Sequence, residues 1–188
     1  LGALARQLEL PHPLWLPAAW LFAACGRPWW LRRWLTPARH GGDRTPLELP
    51  AGGLEPGLGG GAEATLGLGW SWAEPGGRWT DGPEAVLRFR VPAPLAAELE
   101  LELVPFLAPG SPRRRLEVLL DGAPVGAADW RGDELHHRAV RFELDRGLEP
   151  GRTHELRLVV RNPCSPHAAG LNFDPRALGV FVERLRLL

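Results

Sequence analysis

The strictest pattern in the chain is AELELELV, residues 97–104, where Leu99, Leu101 and Leu103 alternate with Glu98, Glu100 and Glu102. A period of two sends the leucines to one face of a strand and the glutamates to the other. Three further runs repeat the pattern. Leu87, Phe89 and Val91 alternate with Arg88 and Arg90; Val140, Phe142 and Leu144 lie in RAVRFEL; Leu156, Leu158 and Val160 lie in HELRLVV. Turn residues separate these runs: Pro92-Ala-Pro94, Pro109-Gly110, Asp121-Gly122 and Pro150-Gly151. Residues 65–188 contain no helical period of ten residues. Short alternating strands without crossover helices predict an all-β domain, an antiparallel two-sheet β-sandwich of jelly-roll-like form.

Two finer expectations follow from the same pattern. The Glu face of 98–102 stands one short connection from the Arg face of 88–90, and if the two runs form a hairpin, opposite charges face each other. In the last run, Val180 and Val182 share a face but the apolar set resumes at Leu185 and Leu187. That slip of one residue predicts a bulge near Glu183-Arg184.

Upstream of the sandwich the character changes twice. Residues 1–40 read as a short helical Trp/Arg-rich segment, with Pro17 and Pro28 suited to first helical turns and Gly26 to a stop. Its apolar run from Leu14 to Gly26 is too short to cross a bilayer with ease. The segment suits packing on an upstream domain, peripheral membrane contact through residues 14–35, with tryptophans at the headgroups and Arg32 and Arg33 on phosphates, or a spanning helix cut short at its start. Residues 41–64 read as a Gly/Pro-rich linker or a loosely held entry segment. Their GLGGG lacks the preceding strand and the following Lys-Ser/Thr of a phosphate loop. Leu1 in place of a methionine reads as the start of a piece of something longer.

All 22 basic residues are arginine, and Ile, Met and Tyr are missing, which reads as the codon usage of a GC-rich genome. The balanced charge, +4 over residues 1–45 and −4 over the rest, lacks the basic density of a nucleic-acid binder. Arg113-Arg114-Arg115 reads as a solvated turn. Cys25 and Cys164 make neither a metal spacing nor a disulfide framework.

Catalytic chemistry finds little footing. Cys164 and His167 are near in sequence but are loop neighbours, not an oriented pair. His136 and His137 point to opposite faces of any strand, against zinc. No cofactor is implied. A structural calcium ion on loop carboxylates, at Asp81 or Asp174, is the metal chemistry these residues would admit. A stand-alone hydrolase using clustered carboxylates is the weakest reading. Aromatic display is the better lead: Trp70, Trp72 and Trp79 fall within ten residues and Trp130 follows. On a strand over 66–72, Trp70 and Trp72 share a face and would stack on sugar rings, with Glu74 or Arg78 binding hydroxyls. The competing reading buries these indoles in the core.

Two stretches carry a resemblance. Gly69-Trp70, Glu74-Pro75 and Arg78-Trp79-Thr80 open the domain, and Asn162-Pro163, Ser165-Pro166, Gly170, Asp174, Arg176 and Leu178-Gly179 close it. Together they resemble the uncharacterised C-terminal β-sandwich module of bacterial phosphoglycerol transferases and cell-surface polysaccharide glycosyltransferases. The resemblance implies a non-catalytic accessory domain of an enzyme that builds or modifies envelope or surface glycans. It implies an upstream catalytic domain as partner, and a place in the cell envelope or on the cytoplasmic face of the membrane. Carbohydrate binding by Trp70, Trp72, Glu74, Arg78 and Trp130 is the functional expectation. The alternative is a structural or docking sandwich that binds no sugar. Trp79, Ser165, Gly170, Asp174 and Arg176 are assigned to structure, with an Asp174–Arg176 brace holding the closing loop.

Overall fold

A computed structural model of the chain describes residues 46–50, 52–62, 65–92, 98–132 and 138–188. The helical segment 1–40, its membrane contact, the first part of the linker, Cys25, His136 and His137 lie outside them. Eight strands form: β1 (Arg78–Asp81), β2 (Glu84–Arg90), β3 (Glu98–Pro105), β4 (Arg113–Leu120), β5 (Ala123–Arg131), β6 (Arg138–Glu143), β7 (Thr153–Arg161) and β8 (Leu178–Leu187). Two antiparallel four-stranded sheets run β1-β8-β3-β6 and β2-β7-β4-β5. The pairs nest around the β4–β5 hairpin: β3 with β6, β2 with β7, and β1 with β8. This is the strand order of an eight-stranded jelly roll, so the expected all-β sandwich forms.

The alternating residues meet between the sheets. Leu87, Phe89, Val91, Leu99, Leu101, Leu103, Leu156, Leu158, Val160, Val180 and Val182 are all buried in one core. Where β3 meets β8, Glu102 faces Arg184 and Leu103 faces Val182, so Glu183 is the extra residue. The bulge turns Leu185 back into the core, as the slip in the pattern required.

The β2–β3 hairpin does not form, because β2 and β3 lie in different sheets. A connection with two prolines suits a crossover better than a two-residue primed turn. The charges find other partners: Arg88 Nε donates to Glu155 Oε2 on β7 at 2.9 Å, and Arg141 Nε on β6 donates to Glu100 Oε2 at 2.6 Å. Arg186 on β8 also donates to Glu100 and, at 2.5 Å, to Glu102. Although it lies on the polar face of β3, the Glu100 side chain is only 2% exposed.

One more expectation is corrected. Arg114 is a buried strand residue, whereas Arg113 and Arg115 point outward as alternation demands. Its guanidinium donates to Phe106 O at 2.8 and 3.1 Å and to Arg161 O at 3.4 Å, and burial pulls its pKa down. The described part of the expected linker is irregular in backbone but packed: Leu49, Leu54 and Ala62 belong to the core. Leu49 N donates to Arg90 O at 2.7 Å, and Leu54 exchanges two backbone bonds with Leu185. Glycine and proline set that segment's conformation, while its few apolar residues set where it lies.

Glu100 generates a stability prediction. The Arg141 hydrogen bond, opposed by burial and reinforced by Arg186, holds this carboxyl below the usual glutamate range. A depressed folded pKa stabilises above the unfolded value of about 4.3 and is lost as pH falls through the folded value. Glu100→Gln should therefore lower the thermal midpoint at neutral pH. The gap to wild type should close as the pH is taken below about 4.3 in a calorimetric series.

Candidate functional site

The residues from Gly69 to Asp81 fold as an irregular hairpin ahead of β2. Trp70 bridges Thr80, Glu74 bridges Gly77, and Asp81 N donates to Gly69 O at 2.7 Å. Gly69 is required there: its φ is +81°, and a Cβ would lie 1.7 Å from Glu84 O. The closing loop runs from Asn162, at φ 57°, to the start of β8, where Cys164 bridges Leu178. Ser165 Oγ donates to Asp174 O at 3.0 Å, His167 N donates to the same oxygen at 2.9 Å, and Gly170 takes the left-handed turn at φ 71°.

Arg176 joins the hairpin to the loop. Its Nη2 donates to Asp174 Oδ2 at 2.6 Å and its Nε lies 2.9–3.0 Å from both Asp174 oxygens. Its Nη1 donates to Glu74 Oε1 at 2.7 Å, across 102 residues of sequence. The guanidinium carbon stands 3.9 Å from the centre of the Trp72 ring, a cation–π contact. Burial acts to raise the Asp174 pKa, but the side-chain and backbone hydrogen bonds of Arg176 outweigh it and hold the carboxyl below its usual range. Beside this joint, Ala177 N donates to Asp81 Oδ1 and Val180 N to Thr80 Oγ1, each at 3.0 Å. The opening and closing motifs are therefore two halves of one joint. Gly179 belongs to it by close approach, since a Cβ would fall 2.5 Å from Thr80 Oγ1 and 2.7 Å from Val160 Cγ1.

The candidate contacts separate. Trp70 is half-buried against the core and its Nε1 donates to Val86 O at 2.7 Å, so it forms no exposed pair with Trp72. The i,i+2 rule holds in a regular strand, and residues 70–72 make only a single bridge. Trp72 is 45% exposed. Arg78 is buried, its Nε donating to Pro56 O at 3.0 Å, and Trp130 is 1% exposed, so neither is placed to meet a ligand. Trp79 packs edge-on to Phe106 at 5.9 Å and tilted to Phe181 at 5.1 Å. Cys164 Sγ turns to Ser165 O, while His167 stacks on Phe173 with centroids 6.4 Å apart. Phe173, 84% exposed, is a surface residue that sequence reasoning did not single out. Its only signal is a large apolar residue in a polar turn.

Among the described residues, no group of three or more His, Cys, Asp or Glu side chains stands where it would hold a metal. Asp174 accepts from Arg176 through both of its carboxylate oxygens.

No protein-family model and no curated protein matches the sequence. Solved structures with partial likeness include a family 35 carbohydrate-binding module from an environmental isolate, 15% identical with a TM-score of 0.37, covering 72% of this chain and 82% of that one. The carbohydrate-binding module CBM36, solved in complex with calcium and xylotriose, is 8% identical with a TM-score of 0.34, over 58% and 76% of the two chains. A family two carbohydrate esterase from Clostridium thermocellum, in complex with cellohexaose, is 16% identical with a TM-score of 0.37; 63% of this chain matches 29% of that one. The class that the strand order itself defines is a jelly-roll β-sandwich.

Asp174→Ala strands a buried guanidinium, and should cost about 2–4 kcal/mol in urea denaturation at pH 7. The deficit should shrink below about pH 3.9, where wild type begins to lose the depressed carboxylate's contribution. Gly179→Ala should cost about 1–3 kcal/mol by the same measurement, through overpacking against Thr80 and Val160.

Proposed function

We propose that the sandwich is a non-catalytic, carbohydrate-binding-like accessory domain of a bacterial enzyme that builds or modifies envelope or surface glycans. The observation that carries this reading is Trp72: an indole 45% exposed and held in place by Arg176, with the Glu74 carboxylate bound to the same guanidinium. An aromatic ring immobilised before binding stacks on the apolar face of a sugar at little further entropic cost. The Glu74 side chain, partly exposed, is placed to accept hydroxyl hydrogen bonds beside it.

The host enzyme is proposed from the motif residues. Those that resemble the transferase-associated module are the ones that build the joint beneath Trp72. On this reading the domain works beside an upstream catalytic domain, in the envelope or on the cytoplasmic face of the membrane. The docking alternative, with its tryptophans buried, describes Trp70 and Trp130 but leaves Trp72 at the surface.

Binding to a panel of neutral and acidic bacterial glycans, followed by calorimetry, tests the reading. At least one glycan should bind, and Trp72→Ala should weaken it about tenfold or more with a smaller change in melting temperature. Failure of every glycan to bind, or indifference to the Trp72 substitution, would reject sugar recognition at this place.

A further inference from the structure

We infer that the glycan surface has a second platform at Phe173, so that its ligand is an extended, neutral oligosaccharide and not a single sugar. The inference rests on the sugar-binding reading above. Phe173 is the most exposed large hydrophobic residue among those described, yet its backbone is pinned. The following residue donates through Asp174 N to Asn172 Oδ1 at 2.8 Å, and Asp174 O accepts from both Ser165 Oγ and His167 N. His167 lies against the ring at an interplanar angle of 26°. Phe173 thus repeats the construction of Trp72: an aromatic ring on fixed backbone with a nitrogen-bearing side chain stacked against it.

Both rings hang on the same joint. Trp72 lies 3.9 Å from the Arg176 guanidinium, which binds Asp174 at 2.6 Å, and Phe173 is the residue before Asp174. These steps, with a Cα spacing of about 3.8 Å and the lengths of the Asp174 and Phe173 side chains, keep the two rings within roughly 20 Å of each other. A short oligosaccharide is long enough to reach from one to the other. Leu58, whose N donates to Glu74 O, and Leu171, two residues before Phe173, are exposed as well. Four of the seven large hydrophobics exposed among the described residues therefore belong to the hairpin or the closing loop or bond directly to them, where scattered single exposures would be unremarked. At the joint, Glu74 and Asp174 stand against the single charge of Arg176. The local excess is negative, which disfavours uronates and phosphate-bearing glycans and favours neutral ones.

The test is calorimetry with the whole chain against cello-, xylo-, malto- and chito-oligosaccharides from disaccharide to hexasaccharide, with an oligogalacturonate series as the acidic arm. Affinity for a neutral series should rise about tenfold or more with length. Phe173→Ala should remove that rise, leave disaccharide affinity unchanged and keep the wild-type melting temperature, whereas Trp72→Ala should weaken short and long ligands alike. Phe173→Leu should behave as the alanine variant, because it keeps apolarity but lacks a flat face. Trp72-dependent binding that is indifferent to length and to Phe173, or confined to the acidic series, overturns the second platform while leaving the sugar-binding reading intact. Absence of binding in every series overturns this inference, and extension of that failure to the whole glycan panel rejects the parent reading too. Self-association lost on Phe173→Ala, without glycan binding, would assign the patch to protein contact instead.

Discussion

The ion-pair cluster of Arg176 with Asp174 and Glu74 is the contact on which the closed sandwich depends. The strand pairs nest, so the outermost pair, β1 with β8, must bring together segments 100 residues apart in sequence, as Thr80 and Val180 are. Loop closure over that distance carries an entropic cost that grows slowly with length but is never small. Burying a cation adds desolvation, and only well-formed hydrogen bonds to carboxylates offset it. Two carboxylates, one from each side of the joint, supply them. The flanking bonds that the start of β8 donates to Thr80 and Asp81 then use the same alignment.

Arginine solves several different burial problems in this chain. Arg176 is held by carboxylates, Arg114 by the carbonyls of Phe106 and Arg161, and Arg78 reaches the carbonyl of Pro56. In the last two cases a planar fork with five donors reaches irregular backbone that a strand ladder leaves unpaired. A chain whose only strong base is arginine thus has a ready means of fastening loops, whatever the codon usage behind that composition. The outer charges of the sheets follow a simpler rule, with guanidinium and carboxylate alternating across neighbouring strands, as Arg88 with Glu155 and Arg161 with Glu117 show.

The same joint shapes the candidate binding surface. Buried charge lies beneath an exposed aromatic ring, so the residue that ties the fold together also shapes its surface. The guanidinium edge binds carboxylates while its plane lies over Trp72. Stacking of this kind fixes a ring without burying it. Trp70, only two residues earlier, shows the other outcome: its indole nitrogen is tied to Val86 O and its ring serves the core.

Period-two alternation by itself determined which residues face inward in β2, β3, β7 and β8, and even where β8 must bulge, because side-chain direction in a strand is a local property of the pleat. The Asp174–Arg176 brace was legible for a similar reason, being a contact across two residues. Strand partners were not legible: β3 receives Arg141 and Arg186 where the pattern alone suggested Arg88 and Arg90, since any Arg-bearing strand satisfies a Glu face equally well. Nor was the burial of Arg114 and Trp130, which are direct cross-strand partners in β4 and β5, or the separation of Trp70 from Trp72. Pairing and exposure depend on what lies across the sheet and across the core, and only the tertiary structure decides that.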